Sequence, residues 1–130
     1  MMDQEQVHLN YFTEIMARRR VRPTLLIPFW RIGGYLMGIA SGLSGFKPSM
    51  LVTEAVEEVI EEHYQQQIDY LTAQGADKEL LTQLQQFQLQ EIEHKNEAVA
   101  AGSQNVLSHS FWTGIVKAVC RGAIYLSKKI

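Results

Sequence analysis

Residues 51–74 read LVTEAVEEVIEEHYQQQIDYLTAQ, a stretch without glycine or proline, and Gly75 follows it. Since glycine readily takes the left-handed conformation that ends many helices, the sequence predicts one long helix over residues 49–74. Prolines occur only at positions 23, 28 and 48, so the other segments also run without a strong breaker. No alternating run of β-branched residues predicts a strand, and the expected fold class is all-α.

Four further helices are predicted, and they cover residues 3–19, 24–46, 77–101 and 103–130. Asp77 and Ser103 stand where N-cap residues are expected. Short connections between long helices make neighbours antiparallel, so we expect a helical bundle. The chain has 130 residues, of which 46% are hydrophobic, and it is expected to form a single domain over residues 1–130.

The charge balance and the cysteine count exclude several classes of protein. Twelve basic and fourteen acidic residues leave a net charge of −2, which argues against a nucleic-acid partner. The single cysteine, Cys120, rules out an internal disulfide and a Cys-rich zinc site, and it is expected to be a small buried apolar residue. The first residues show no secretory pattern, so an intracellular, reducing compartment is expected.

The segment over residues 24–46 is unusual because Arg31 is its only charge. It is too short and too weakly apolar to span a membrane. One interpretation is a buried helix whose small residues let a neighbour approach closely. The other is a helix that lies in the membrane interface, with aromatic anchors and with Arg31 reaching the headgroups. Both can hold at once, on opposite faces of the helix. The small residues are Gly34, Gly38 and Gly42, and the anchors would be Phe29, Trp30 and Tyr35.

A cluster of arginines closes the first predicted helix. It comprises Arg18, Arg19, Arg20 and Arg22. Cations at this position complement the carbonyl end of the helix dipole. The alternative is a contact with phosphate or anionic lipid.

Two Glu-x-x-His motifs, Glu5 with His8 and Glu91 with His94, are the strongest sign of metal chemistry. Residues three apart share one face of a helix, so the carboxylate and the imidazole can reach one ion. The third helix adds a run of glutamates that is usually a solvated face. Glu57 follows two apolar residues, and an inward carboxylate would require a cation or another partner. Ferritin-like di-iron bundles combine two such motifs with single glutamates from two other helices.

Beyond these spacings, six segments resemble demethoxyubiquinone hydroxylase, the di-iron monooxygenase family of ubiquinone biosynthesis. The similarity covers essentially the whole chain, and the segments follow the order of the family. They are Arg20-Val21-Arg22-Pro23-Thr24, Pro28-Phe29-Trp30, Ala55-Val56-Glu57-Glu58, His63-Tyr64, Glu91-Ile92-Glu93-His94 and Cys120-Arg121-Gly122-Ala123-Ile124.

The resemblance implies a ferritin-like bundle with two iron ions and a membrane-facing helix over residues 24–46. It implies hydroxylation of a ring carbon of a long-tailed demethoxyubiquinol by O₂, with electrons ultimately from NADH. It also implies peripheral attachment to the inner membrane, on the cytoplasmic face in bacteria or the matrix face in mitochondria. Other proteins of ubiquinone biosynthesis are further implied partners. A second copy of the chain is also expected, because a bundle that lacks one helix would expose a strip of its core. The implied iron ligands are Glu5, His8, Glu57, Glu91 and His94.

The same resemblance places His63 and Tyr64 near the quinone. From the residues alone, His63 and His109 are interpreted as surface or structural histidines. The family also has an earlier helix with a motif resembling Asp-His-Ala-Gly-Glu, which supplies a sixth ligand. No such motif occurs here, so the expected bundle is N-terminally truncated, and the activity of the isolated chain is open.

Two other functions compete with the hydroxylase. A non-catalytic helical protein that binds quinone or lipid would use the same apolar segment. A ferritin-like iron-storage protein or oxidase is disfavoured because a soluble storage shell has no use for a membrane-seeking segment.

Overall fold

The computed structural model describes residues 1–130 as five α-helices with one short 3₁₀ turn at Ser103–Asn105 and no strand, so the all-α prediction is confirmed. The helices are α1 (Met2–Arg18), α2 (Ile27–Ser44), α3 (Phe46–Gln74), α4 (Lys78–Ala100) and α5 (His109–Ser127). The long helix α3 is central, because α2, α4 and α5 all pack against it.

The predicted C-terminal ends of α1, α3 and α4 agree closely with the structure. Gly75 takes a left-handed conformation at the end of α3, with φ of 62°. Asp77 occupies the N-cap position of α4, but its side chain makes no capping hydrogen bond and instead pairs with Arg19, which follows α1. The predicted capping hydrogen bond is therefore wrong, because the carboxylate of Asp77 forms an ion pair at the end of α1.

Three other boundaries differ from the prediction. Helix α3 starts at Phe46, because Gly45 with φ of 115° turns the chain and Pro48 fits within the first helical turn, where its missing N–H is not needed. Helix α2 starts later, at Ile27. The predicted start of α5 at Ser103 is wrong, because the chain forms the 3₁₀ turn there and then extends before His109.

The apolar core of the bundle contains few residues. One apolar cluster between α3 and α4 consists of Tyr64, Ile68, Leu84 and Phe87, and Phe12 of α1 packs against it. In α1, His8 is the only buried residue.

The buried-helix interpretation of residues 24–46 is wrong, because no residue of α2 is buried. A Cβ added at any of its glycines would meet nothing within 4 Å, so no neighbour approaches the small residues. Consistent with the sequence prediction, no helix combines the length and the apolar character needed to cross a membrane.

The acidic run on α3 links this helix to its neighbours through ion pairs. Its outer glutamates form ion pairs with cations of α4 and α5, and these pairs are Glu58–Lys117, Glu61–Lys95 and Glu62–Arg121. The buried Glu54 accepts a hydrogen bond of 2.9 Å from Nε2 of His109, which confirms a structural role for that histidine. The interpretation of the whole run as a solvated face is therefore wrong.

Candidate metal centre

Five ionisable side chains from three helices meet on the inner side of the bundle. The motif on α1 brings Glu5 and His8, the motif on α4 brings Glu91 and His94, and α3 brings Glu57. One ligand atom from each of Glu5, Glu57, Glu91 and His94 lies within 4.8 Å of the others. The structure thus brings together all five residues that the sequence analysis named as metal ligands.

Glu91 lies between the two imidazoles. Its Oε1 is 2.9 Å from Nδ1 of His8, and its Oε2 is 3.3 Å from Nδ1 of His94. Glu5 approaches the same Nδ1 of His94 to 3.2 Å, and Glu57 approaches it to 3.8 Å. A different oxygen of Glu91 thus faces each imidazole.

The cluster is buried, and several of its polar atoms have no hydrogen-bond partner. His94 is 1% exposed and Glu91 is 2% exposed, whereas Glu5 is about half exposed at the edge. The unpartnered atoms are Nδ1 of His8, Oε2 of Glu57, Oε2 of Glu91 and Nδ1 of His94. Buried polar atoms are normally satisfied, so four orphans around one point indicate a site for cations.

The electrostatics of the carboxylates lead to the same conclusion. Burial raises the pKa of Glu57 to about 9, and the nearby carboxylates of Glu91 and Glu5 add to the shift. Burial and the charge of Glu91 also raise the pKa of Glu5. Adjacent buried carboxylates favour protonation unless a positive ion offsets their charge. The donor set of three carboxylates and two imidazoles fits first-row divalent metals such as iron.

Two glutamines that the sequence analysis did not name complete the cluster. Oε1 of Gln90 is 2.6 Å from Nε2 of His8, and Oε1 of Gln4 is 2.7 Å from Nε2 of His94. Each glutamine immediately precedes the glutamate of a Glu-x-x-His motif, so both motifs read Gln-Glu-x-x-His. The glutamine that the two motifs share is the sequence signal from which Gln4 and Gln90 could have been identified.

The structure places Tyr64 and His63 in two different environments. Tyr64 is buried, stacks on Phe12 with ring centroids 6.3 Å apart, and has a raised pKa because of burial and the nearby Glu91, Glu5 and Glu57. His63 is half-buried, with Nε2 3.0 Å from Nε2 of Gln67. Burial and the charge of Lys128 lower the pKa of His63.

An apolar cavity of about 400 Å³ opens beside His63, between α1, α3 and α4. Phe12 and Leu84 line it, and both also pack in the cluster around Tyr64. Arg19 and Lys128 supply positive charge to its lining. The cavity lies within the usual range for a small-molecule pocket.

The sequence matches the family described as Ubiquinone biosynthesis protein COQ7 over residues 1–127. NADPH-dependent 3-demethoxyubiquinone 3-hydroxylase, mitochondrial, of Rattus norvegicus is 38% identical over 131 residues, which are 99% of this chain and 60% of that protein. The 3-demethoxyubiquinol 3-hydroxylase of Rhodospirillum rubrum is 37% identical over 131 residues, 100% of this chain and 60% of its own. The 5-demethoxyubiquinone hydroxylase, mitochondrial, of Saccharomyces cerevisiae is 36% identical over 141 residues, 98% of this chain and 60% of its own.

The chain therefore spans about 60% of the length of these curated relatives. The family match covers residues 1–127, and the resemblance inferred from the six sequence segments is confirmed.

Proposed function

This chain belongs to the COQ7 family of ubiquinone biosynthesis proteins, and from that premise we propose that it hydroxylates a ring carbon of a demethoxyubiquinol. The observation that carries the proposal is the meeting of Glu5, His8, Glu57, Glu91 and His94, with four of their buried atoms unpartnered. We propose these five residues as ligands of two iron ions within a ferritin-like bundle. When bound, the iron pair supplies the reductive activation of O₂ that hydroxylation requires.

The protein's own residues would hold the substrate ring and keep water away from the reaction. Phe12, Leu84 and their neighbours give the cavity an apolar wall that suits a quinol ring with a hydrocarbon tail. Exclusion of water from this space limits side reactions at the oxidising centre. The cavity and the candidate ligands share neighbours, because Phe12 and Leu84 line the cavity and pack with Phe87, and His8 packs on Phe87 with ring centroids 4.0 Å apart.

His63 and Tyr64 are proposed to contact the quinol. The lowered pKa of His63 keeps its imidazole neutral at physiological pH. Its Nε2 accepts a hydrogen bond from the amide of Gln67, so Nδ1 carries the proton and can donate to a ring oxygen. The raised pKa of Tyr64 keeps its phenol protonated, so it can donate a hydrogen bond to a ring oxygen. The two side chains thus both offer hydrogen-bond donors to the oxygens of the ring.

The electron donor is proposed to be a reduced nicotinamide nucleotide. The resemblance implied NADH, while the rat relative is named as NADPH-dependent. Titration of both nucleotides against turnover, in the presence of the quinol and O₂, distinguishes them.

We also propose that the chain attaches to one face of an inner membrane through α2. Five apolar side chains recur at intervals of three and four residues along α2, and all are exposed: Phe29, Ile32, Leu36, Ile39 and Leu43. Such a continuous apolar face is typical of an interfacial helix. It would bring the bundle to the membrane in which a long-tailed quinol resides. Vesicle co-sedimentation with Leu36→Ser should show weaker binding than with Leu89→Ser, a matched change of an exposed leucine on α4.

The first experiment is the measurement of iron per chain after anaerobic reconstitution with Fe(II). We expect about two irons per chain in the wild type, and a loss of iron in Glu57→Gln and His94→Ala. Glu58→Gln is the matched control, because Glu58 pairs with Lys117 and lies outside the cluster. Mass spectrometry of the quinol after addition of reductant and O₂ then reports hydroxylation.

Absence of iron from the reconstituted wild type would contradict the proposed metal centre. Full iron loading with no hydroxylated product would instead favour a chain that binds metal and quinone without catalysis.

A further inference from the structure

Two reciprocal hydrogen bonds between α1 and α4 hold the histidines proposed as metal ligands. Gln4 of α1 contacts His94 of α4, while Gln90 of α4 contacts His8 of α1. Within each helix the glutamine and the histidine are four residues apart, so they lie on the same face. Because the bonds cross, each helix supplies both a candidate ligand and the group that orients the ligand of the other helix.

These bonds determine which ring nitrogen is free. The glutamine oxygen Oε1 can only accept, so Nε2 of each histidine must carry the proton and donate it. In the neutral imidazole, Nδ1 then keeps its lone pair. Both Nδ1 atoms face the carboxylates and lack a hydrogen-bond partner. A lone pair that faces carboxylate oxygens is unfavourable unless a cation lies between them.

A glutamine differs from a carboxylate at the same position because it adds no charge. The cluster already contains three carboxylates within a largely buried space. Two more negative charges next to the imidazoles would increase the repulsion among the carboxylates. An amide oxygen accepts the hydrogen bond from Nε2–H without adding a charge.

We propose that Gln4 and Gln90 are positioning residues of the metal centre, which fix both histidines in the Nε2–H tautomer and direct Nδ1 to the metal. This inference rests on the proposed function, since it assumes that the cluster binds metal. Partners of this kind orient a ligand without touching the ion, and their loss typically weakens metal binding by about 10–100-fold.

The test compares Gln4→Met and Gln90→Met, which keep the length of the side chain and remove the acceptor. Gln90→Glu restores an acceptor oxygen and serves as the conservative variant. Gln6→Met and Gln86→Met are controls, because both glutamines are exposed on the same two helices and neither contacts a histidine. Two quantities are measured: the affinity for Fe(II) under anaerobic conditions, and the imidazole Nε2–H signals in ¹⁵N-resolved spectra of the Zn(II)-loaded protein.

We expect each Met variant to bind Fe(II) about tenfold or more weakly. Gln90→Met should lose the exchange-protected Nε2–H signal of His8, and Gln4→Met should lose that of His94. Gln90→Glu should keep the His8 signal, and the control variants should match the wild type in both measurements. If the glutamines had a purely structural role, their replacement would lower the melting temperature but would not remove the Nε2–H signal of one particular histidine.

Two results would overturn the inference in distinguishable ways. If the wild type binds metal, and the Met variants bind it equally well with both signals intact, the positioning role is wrong and the metal centre stands. If the wild type binds neither Fe(II) nor Zn(II), the proposed function fails and the positioning role fails with it.

Discussion

Replacement of Glu57 by glutamine should stabilise the metal-free protein at alkaline pH while it abolishes metal binding. The carboxyl of Glu57 has a pKa of about 9 in the folded chain, against an ordinary value of 4.5. Between these values the folded protein holds a proton on Glu57 that the unfolded chain has lost. A rise in pH therefore favours unfolding, and the stability that this proton contributes is lost as the pH approaches 9.

The size of the effect follows from the one-proton difference. Each pH unit between the two pKa values lowers the free energy of unfolding by about 1.4 kcal/mol. From pH 6 to pH 8 the metal-free wild type should lose about 3 kcal/mol relative to Glu57→Gln, which carries no titrating group at this position. Because both proteins share every other ionisable group, their difference isolates Glu57 and its direct neighbours.

The assay is urea unfolding of the chelator-treated proteins at a series of pH values, with Glu58→Gln as the control. The slope of unfolding free energy against pH should be flatter for Glu57→Gln, and the slopes of Glu58→Gln and the wild type should agree. In the presence of metal the order reverses, because ionised Glu57 becomes a ligand and the wild-type affinity rises with pH toward 9. Parallel slopes for the wild type and Glu57→Gln would refute the assignment of a buried, protonated carboxyl.

Three further outcomes follow from the structure. Tyr64→Phe should slow hydroxylation while it leaves the iron content of the reconstituted protein unchanged, and loss of iron would contradict a role at the quinol. Leu84→Ala, at a position 2% exposed in the cluster of α3 and α4, should lower the free energy of unfolding by about 2–5 kcal/mol in urea titration. Removal of metal by a chelator should speed amide hydrogen exchange across residues 2–18 more than across α3, and equal protection in both states would contradict a metal link between α1 and the bundle.

Local signals account for most of the fold. The long stretch before Gly75 predicts α3 because no residue in it opposes a helix, and the observed helix ends at that glycine. The start of α5 was misplaced because Ser103 resembles an N-cap, while in the structure it is buried in a 3₁₀ turn beside α3 and α4. Packing of this turn against other helices is a tertiary effect that a local pattern does not contain.

The candidate ligands could be named from the sequence because helical periodicity places a glutamate and a histidine three residues apart on one face. Which glutamate of α3 joins them is harder to predict. Glu57 faces inward, whereas Glu58 and Glu61 pair with lysines of α5 and α4. That division depends on the cations that neighbouring helices present. The roles of Gln4 and Gln90 depend in the same way on the register between α1 and α4, and periodicity within one helix does not report it.

The arrangement of α1 links metal binding to the integrity of the bundle. Its one buried residue, His8, is also a candidate ligand, and its partner Gln90 belongs to α4. Aromatic contacts from Phe12 and the pair between Arg19 and Asp77 hold the rest of the helix. Without a cation, Glu57 has to hold a proton, and ionisation of this carboxyl beside Glu91 and Glu5 opposes the packing of α1, α3 and α4. With a cation, the same residues join the three helices, and the binding free energy of the metal adds to the folding free energy. The residues proposed for catalysis are therefore also expected to determine whether α1 stays docked.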